Sequence, residues 1–240
     1  QLDNMSCGLR GFKSLARADS VTSISGLAGI QAAVDVGKAW SKPPCLPLLK
    51  NFGQGQQMAN KVLNEADAKA MIQKAVDTFG RIDFLIANAG ILRDKSFKNM
   101  TNDMWDIVID VHLRGTYLTV NAAYHQMIEQ GHGGSIVVTS STSGLLGNFG
   151  QSNYGAAKAG IAGFARCLFQ EGMKYGIRVN ILAPAAWSRL TEDIFPQGQN
   201  MEALLSPDKV SPLVVWLGSD DAKEVTGRTF LATGNTVQLL

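Results

Sequence analysis

From residue 64 onward, apolar positions recur with two alternating periods. Over residues 65–79, Ala68, Met71, Ile72, Ala75, Val76 and Phe79 fall three and four apart, and Gly80 follows. That spacing puts them on one helical face, with the glycine as a stop. Phe84-Leu85-Ile86-Ala87 is a short apolar run of the kind that forms a buried parallel strand. Thr101 stands where it can cap a long helix through Trp105, Ile109 and Leu113 to about Glu129, ended by Gly131, Gly133 and Gly134. Ile136-Val137-Val138-Thr139 predicts the next strand. Residues 152–175 predict a second long helix, closed by Gly176, and residues 178–182 a third strand, ended by Pro184. Residues 210–217 read as a helix and residues 228–232 as a last strand. Strands and helices alternating over short connections predict one α/β domain with a doubly wound parallel sheet of the Rossmann type.

Residues 1–63 break this rhythm. Ser20-Val21-Thr22-Ser23-Ile24 is a plausible first strand, followed by Ser25-Gly26-Leu27-Ala28-Gly29-Ile30. Pro43, Pro44 and Pro47 do not suit a central strand. The stretch between Gly26 and Asn88 is short for the strands and helices that a nucleotide-binding half usually supplies. No internal repeat or low-complexity tract is present.

Composition changes this picture little. The 240 residues are 45% hydrophobic and 18% charged, as in a soluble globular protein. A formal net charge of +2 gives no reason to expect nucleic acid or a membrane as partner, and no apolar run is long enough to span a bilayer. Cys7, Cys45 and Cys167 are odd in number and widely spaced, which predicts reduced thiols in an intracellular protein. His112, His125 and His132 do not pair with cysteines or acids at metal-ligand spacing, so no metal is expected. Arg10, Lys13 and Arg17 precede the acid at Asp19. That pattern suits a disordered basic terminus and, less well, an organelle-targeting peptide. The closing Val237-Gln238-Leu239-Leu240 is not a receptor-read address.

The strongest chemical signal is Tyr154-Gly-Ala-Ala-Lys158, with Ser141 thirteen positions before the tyrosine. Side chains four apart share a helical face. A phenol titrates near ~10 and is a poor base at neutral pH, whereas an ammonium one turn away favours the phenolate. Lowering that pKa by about 3 units takes roughly 4 kcal/mol of differential interaction. The pair reads as a tuned general acid/base, and Ser141 as a hydrogen-bonding partner for a substrate oxygen.

The company of this pair carries a resemblance. Ala87-Asn88-Ala89-Gly90, Ser140-Ser141-Thr142-Ser143-Gly144 and Gly147-Asn148-Phe149-Gly150-Gln151-Ser152-Asn153-Tyr154 follow in an order and spacing that resemble the short-chain dehydrogenase/reductase family, over roughly residues 64–232. The resemblance implies that Tyr154 gives a proton to a carbonyl or takes one from an alcohol, and that Lys158 holds the nicotinamide ribose. Ser141 would orient the substrate oxygen. It implies a single domain over residues 1–240, with 1–63 a degenerate cofactor-binding half and 64–240 the well-matched catalytic half. The family's glycine-rich dinucleotide turn is matched only in part, by Ser25, Gly26, Gly29 and Ile30. Asn88, Ala89 and Gly90 would lie beside the adenosine, and Pro184 near the nicotinamide. Ala185 stands where the family usually has glycine. Ser188 and Thr191 are candidates for the carboxamide. No acid that would choose NAD over NADP can be placed; Asp35 is a candidate by default. The implied cofactor is NAD, with NADP open.

Where many members have an asparagine that holds a proton-relay water, this chain has His112. Together with Ile91-Leu92-Arg93-Asp94-Lys95-Ser96-Phe97, the stretch Val111-His112-Leu113-Arg114-Gly115 is similar to the (3R)-3-hydroxyacyl-CoA dehydrogenase module of peroxisomal multifunctional enzymes and its bacterial relatives. That likeness implies a 3-hydroxyacyl-CoA substrate, a peroxisomal or else cytoplasmic setting, and a homodimer or homotetramer packed through the two long helices. Arg93, Lys95 and Lys98 are candidates for the CoA phosphates. The alternative is a catalytically inactive member that serves as a binding or assembly module, suggested by residues 1–63 and by Ala232-Thr233-Gly234-Asn235. There the family usually ends its last strand in an acid and two glycines.

Overall fold

The computed structural model describes residues 21–25, 63–187 and 200–240. Among the described residues six strands form one sheet in chain order: β1 (Val21–Ser25), β2 (Phe84–Asn88), β3 (Gly134–Thr139), β4 (Ile177–Ala185), β5 (Thr229–Thr233) and β6 (Thr236–Leu239). The first five are parallel and β6 returns antiparallel along the edge. The first strand is shifted by one residue from the expected 20–24, so that Ser25 ends it.

Helices cover both faces, as a doubly wound sheet requires. On one face Leu85, Ala87, Ile136, Val138, Val179 and Ile181 pack against α1 (Glu65–Phe79), α3 (Gly115–Gln130) and α5 (Ser152–Gly172). On the other, Phe84, Val137, Leu182, Phe230 and Ala232 pack against α7 (Ser211–Gly218) through Leu213 and Leu217. Neighbouring strand residues thus point into different cores, and both cores are apolar. The strands therefore read as continuous apolar runs rather than alternating ones.

α1 spans the expected residues. Asn64 caps it by accepting from the Ala66 amide at 2.8 Å, and Ala68, Ile72 and Ala75 form its buried stripe. Thr101 caps α2 (Asn102–Ile109) by accepting from the Met104 amide at 3.3 Å.

Three expectations are corrected. The helix after Thr101 is not one regular rod, because a π turn, Asp110–Arg114, separates α2 from α3. A π turn inserts one residue into the helical ladder and re-aims the side chains beside it; here His112 is aimed inward. Pro184 does not end β4. By that point β4 has passed its last partner in β3, Thr139 opposite Leu182, and pairs only with β5, Pro184 opposite Ala232. A missing donor is tolerated on such a one-sided stretch. The strand expected at 228–232 lies at 229–233, and it is not the last. Gly234 and Asn235 turn the chain back into β6, with Thr233 opposite Thr236. A Gly-Asn pair between two strand-like runs is a hairpin signal.

Short helices α4 (Thr142–Leu145) and α6 (Met201–Leu204) are also present among the described residues. The carboxyl ends of β2, β3 and β4 lie side by side on one edge of the sheet, where ligands bind in open α/β folds.

Candidate active site

Strand β3 delivers Ser141 to this edge. Its hydroxyl oxygen caps α4 by accepting from the Ser143 amide at 3.2 Å, and its hydroxyl hydrogen faces the Tyr154 phenol oxygen. Tyr154 and Lys158 stand one turn apart near the start of α5, half-buried and buried respectively. The Lys158 ammonium donates to the Thr139 carbonyl at 2.7 Å and lies 5.6 Å from the Tyr154 ring centre. Ser140 ties the same helix down, its hydroxyl donating to the Lys158 carbonyl at 2.8 Å. Only a residue without a side chain fits at Gly144, where a Cβ would come 2.6 Å from that of Lys158. The turn after Ser141 therefore lies directly on the helix that carries the tyrosine and lysine.

His112 approaches from the other side. Its ring meets the Tyr154 ring edge to face at 5.1 Å, and its Nε2 lies 2.7 Å from the Ile91 carbonyl oxygen. Gly90 makes room, since a Cβ there would overlap the imidazole. The Ile91 amide also lies 3.1 Å from the same nitrogen, and the tautomer with Nε2–H donating to the Ile91 carbonyl is assigned because that contact is the shorter of the two. Nδ1 is then a bare acceptor. It is buried and has no hydrogen-bond partner among the described residues, as is also true of Thr139 Oγ1. Leaving such atoms unpaired costs on the order of 1–3 kcal/mol each.

Burial dominates the electrostatics. It pushes the Lys158 ammonium down to about 7. It also pushes His112 down to about 3, helped by the nearby Lys158 charge and opposed by the Ile91 backbone bond. The Tyr154 phenol moves upward. Burial is the largest cause, Asp94 adds to it, and the Ser141 hydrogen bond opposes it. This reverses the expectation from Tyr154-x-x-x-Lys158 that the lysine makes the phenol acidic. The lysine is itself desolvated and turned toward Thr139, so the tyrosine rests as a neutral phenol.

Ser141, Tyr154, Lys158 and His112 thus come together as one cluster. Asn88 ends β2 opposite Ser25 at the end of β1, with Ala89 and Gly90 following on the same edge. A small hollow there is lined by Ala87, Asn88, Ala89, Val111, Gly115, Thr116 and Thr119. The orphaned buried acceptors and the Lys158 ammonium fit a polar, hydroxyl-bearing group such as a cofactor ribose. Pro184 lies further along the edge, within β4. Gly26, Gly29, Ile30, Asp35, Ser188 and Thr191 lie outside the described residues, as do Cys7 and Cys45. Cys167 is a free, exposed thiol.

Sequence reading missed the polar residues that hold this cluster. Asn153 is fully buried; its Nδ2 donates to the carbonyls of Arg93 and Met104, both at 3.0 Å. Gln151 is also buried and bridges Asp94 to Ser143. Two amides just before the tyrosine, at the start of an otherwise apolar helix face, were the available signal.

The short chain dehydrogenase family profile matches residues 49–194. The chain belongs to the short-chain dehydrogenase family. Members of this family are NAD(P)-dependent oxidoreductases that act on CH–OH groups. The peroxisomal multifunctional enzyme type 2 of Mus musculus is 42% identical over 193 residues, 74% of this chain and 26% of that protein. The hydroxyacyl-CoA dehydrogenase ChsB1 of Mycobacterium tuberculosis is 39% identical over 194 residues, 76% of this chain and 61% of that protein. This chain thus spans about a quarter of the mouse relative. Among solved structures, carveol dehydrogenase from Mycobacterium avium in complex with NAD superimposes with a TM-score of 0.64 at 27% identity, covering 71% of this chain and 70% of that one.

Proposed function

We propose that this chain moves a hydride between NAD and the carbinol carbon of a 3-hydroxyacyl-CoA, interconverting it with the 3-ketoacyl-CoA. The observation that carries the reading is the convergence of the Ser141 hydroxyl, the Tyr154 phenol and the Lys158 ammonium at the carboxyl end of β3. The nicotinamide, when bound, gives or accepts the hydride. Lys158 would hold the ribose, with Asn88, Ala89 and Gly90 beside the adenosine. In the reducing direction Ser141 orients the substrate carbonyl and Tyr154, a neutral phenol at rest, supplies the proton. In the oxidising direction the phenol would first pass its own proton toward Lys158 and water, and the resulting phenolate oxygen would take the proton from the alcohol. His112, neutral at physiological pH, offers Nδ1 to a water that returns protons toward Lys158.

An acyl-CoA joins an apolar chain to a phosphate-rich carrier. Leu146 and Phe149 are 86% and 90% exposed on the loop between Ser141 and Tyr154, and Phe97 is 76% exposed on the neighbouring segment. The two segments are laced by the Lys95 amide donating to the Gly150 carbonyl at 2.9 Å. Exposed Arg93, Lys95 and Lys98 flank them. Apolar side chains beside cations suit that substrate class, and the ChsB1 relative carries a matching name. The relatives favour a peroxisomal setting over the cytoplasmic alternative, and no described helix is long and apolar enough to cross a membrane. A homodimer or homotetramer would use the outer faces of α3 and α5, where half-exposed Tyr117 packs edge-on to Phe164 at 6.3 Å.

The test is to titrate NADH and NADPH by nicotinamide fluorescence and then to follow oxidation of the bound cofactor on adding 3-ketoacyl-CoAs of several chain lengths. Saturable NADH binding with turnover supports the reading. A tenfold preference for NADPH corrects the cofactor, and absence of binding at millimolar cofactor overturns the reading.

A further inference from the structure

The turn that presents Ser141 is clamped from two directions. On one side its backbone at Gly144 lies against α5 at Lys158. On the other, the Ser143 hydroxyl donates to Gln151 Oε1 at 2.7 Å, and Asn148 Nδ2 donates to the same oxygen at 3.1 Å. Gln151 Nε2 donates to Asp94 Oδ2 at 2.7 Å. These partners leave the carboxamide one orientation. Its oxygen faces two donors, and its nitrogen faces a carboxylate that only accepts. Ser143, held in this way, aims its own amide at the Ser141 oxygen. That occupies one acceptor site on Ser141 and leaves the hydroxyl hydrogen for the phenol or for substrate.

We infer that Gln151 is a positioning residue for this reaction: by bridging Asp94 to Ser143 it fixes the direction in which Ser141 presents its hydroxyl to Tyr154 and substrate. The inference rests on the oxidoreductase reading for its consequence and on the hydrogen-bond chain for its geometry. Gln151 itself touches neither reactant. Its amide is 4% exposed, so the bridge is sealed from competing water, whereas Asp94 sits at the solvent edge and anchors the chain electrostatically. Tyr154 reports on the bridge, because the groups that face it are Ser141, His112, Lys158 and, more distantly, Asp94.

The test uses two substitutions of similar volume. Gln151→Met removes both ends of the bridge. It is expected to lower kcat about ten- to a hundred-fold, the scale of a small misplacement of reacting groups. KM and the cofactor Kd should stay within about threefold, since substrate contacts are untouched. Gln151→Glu places a carboxyl against Asp94. Two carboxyls in contact hold one proton between them at low pH and repel each other when both ionise. This variant is therefore expected to approach wild-type kcat at acid pH and to lose it as pH rises, a rescue that a merely structural role does not give. A readout without turnover is the Tyr154 titration, isolated as the ultraviolet difference between each protein and its Tyr154→Phe partner. In Gln151→Met the phenol should titrate higher, because the Ser141 bond that holds it down is lost. If both variants fold and leave kcat and the Tyr154 titration within about twofold of the parent, the inference fails. If the parent turns over no ketoacyl-CoA while the Tyr154 titration still moves in Gln151→Met, the substrate reading fails and the positioning role stands.

Discussion

α1 and α5 pack on the same face of the same sheet, yet they bury different chemistry. The inner stripe of α1 is Ala68, Ile72 and Ala75. The inner stripe of α5 has Ala157, Ile161, Ala162 and Ala165, but it opens with buried Asn153 and includes Lys158 at 3% exposure. A buried ammonium is costly and is found where it is paired or used. α1 is thus explained by folding alone. α5 gives up stability in its first two turns, and what it gains there is a phenol, an ammonium and two hydroxyls held in one place. The contrast locates the site without reference to any relative.

Substitutions sharpen the contrast, the largest effect first. Lys158→Met should abolish most turnover, by at least about a hundred-fold, because it removes the group proposed to hold the ribose. It should leave thermal stability unchanged or raised, since a desolvated charge is replaced by a thioether of similar length. A steep loss of stability would mean that the lysine is structural. Ile72→Ala on α1 should do the opposite. It opens a cavity in the main core and should cost about 2–5 kcal/mol in denaturant unfolding, with activity per folded molecule unchanged.

The smallest effect is a slope. Lys158 titrates at about 7 in the folded protein and near ~10.4 when unfolded, so between those values the unfolded chain holds more protons. Stability should therefore rise with pH across that window, by at most about 1.4 kcal/mol per pH unit, the penalty being fully present below 7. The Tyr154 phenol, pushed upward, opposes the trend only above about 10. Comparing unfolding of the parent and Lys158→Met at pH 7 and 9 checks this: the rise should be confined to the parent.

The same contrast explains what could be read in advance. Helix α1 was legible to the residue because its apolar stripe and Gly80 stop agree. The cores of β2, β3 and β4 were legible because both faces are apolar, but not their ends. Gly134 and Ser135 carry no apolar signal, and Pro184 argues against a strand until one knows that β3 stops at Thr139. The π turn at Asp110–Arg114 carries His112, whose partner Ile91 lies twenty-one residues away, a contact that no local pattern encodes. At the site, Ser141, Tyr154 and Lys158 stood out by type and spacing, and His112 only through the family resemblance. Gln151 and Asn153 did not, because their partners Asp94, Arg93 and Met104 come from segments brought close only by folding. The direction of the phenol's shift was misjudged for a related reason: spacing reveals a neighbouring charge but not the burial that outweighs it.

The central claim is that the Tyr154 phenol moves the proton. Its most direct test compares the parent with Tyr154→Phe for NADH binding by fluorescence and for reduction of a 3-ketoacyl-CoA at saturating cofactor. NADH affinity should stay within about threefold and turnover should fall by about a hundred- to ten-thousand-fold, the usual contribution of a positioned general acid. Turnover by the phenylalanine variant within a few-fold of the parent would contradict the claim.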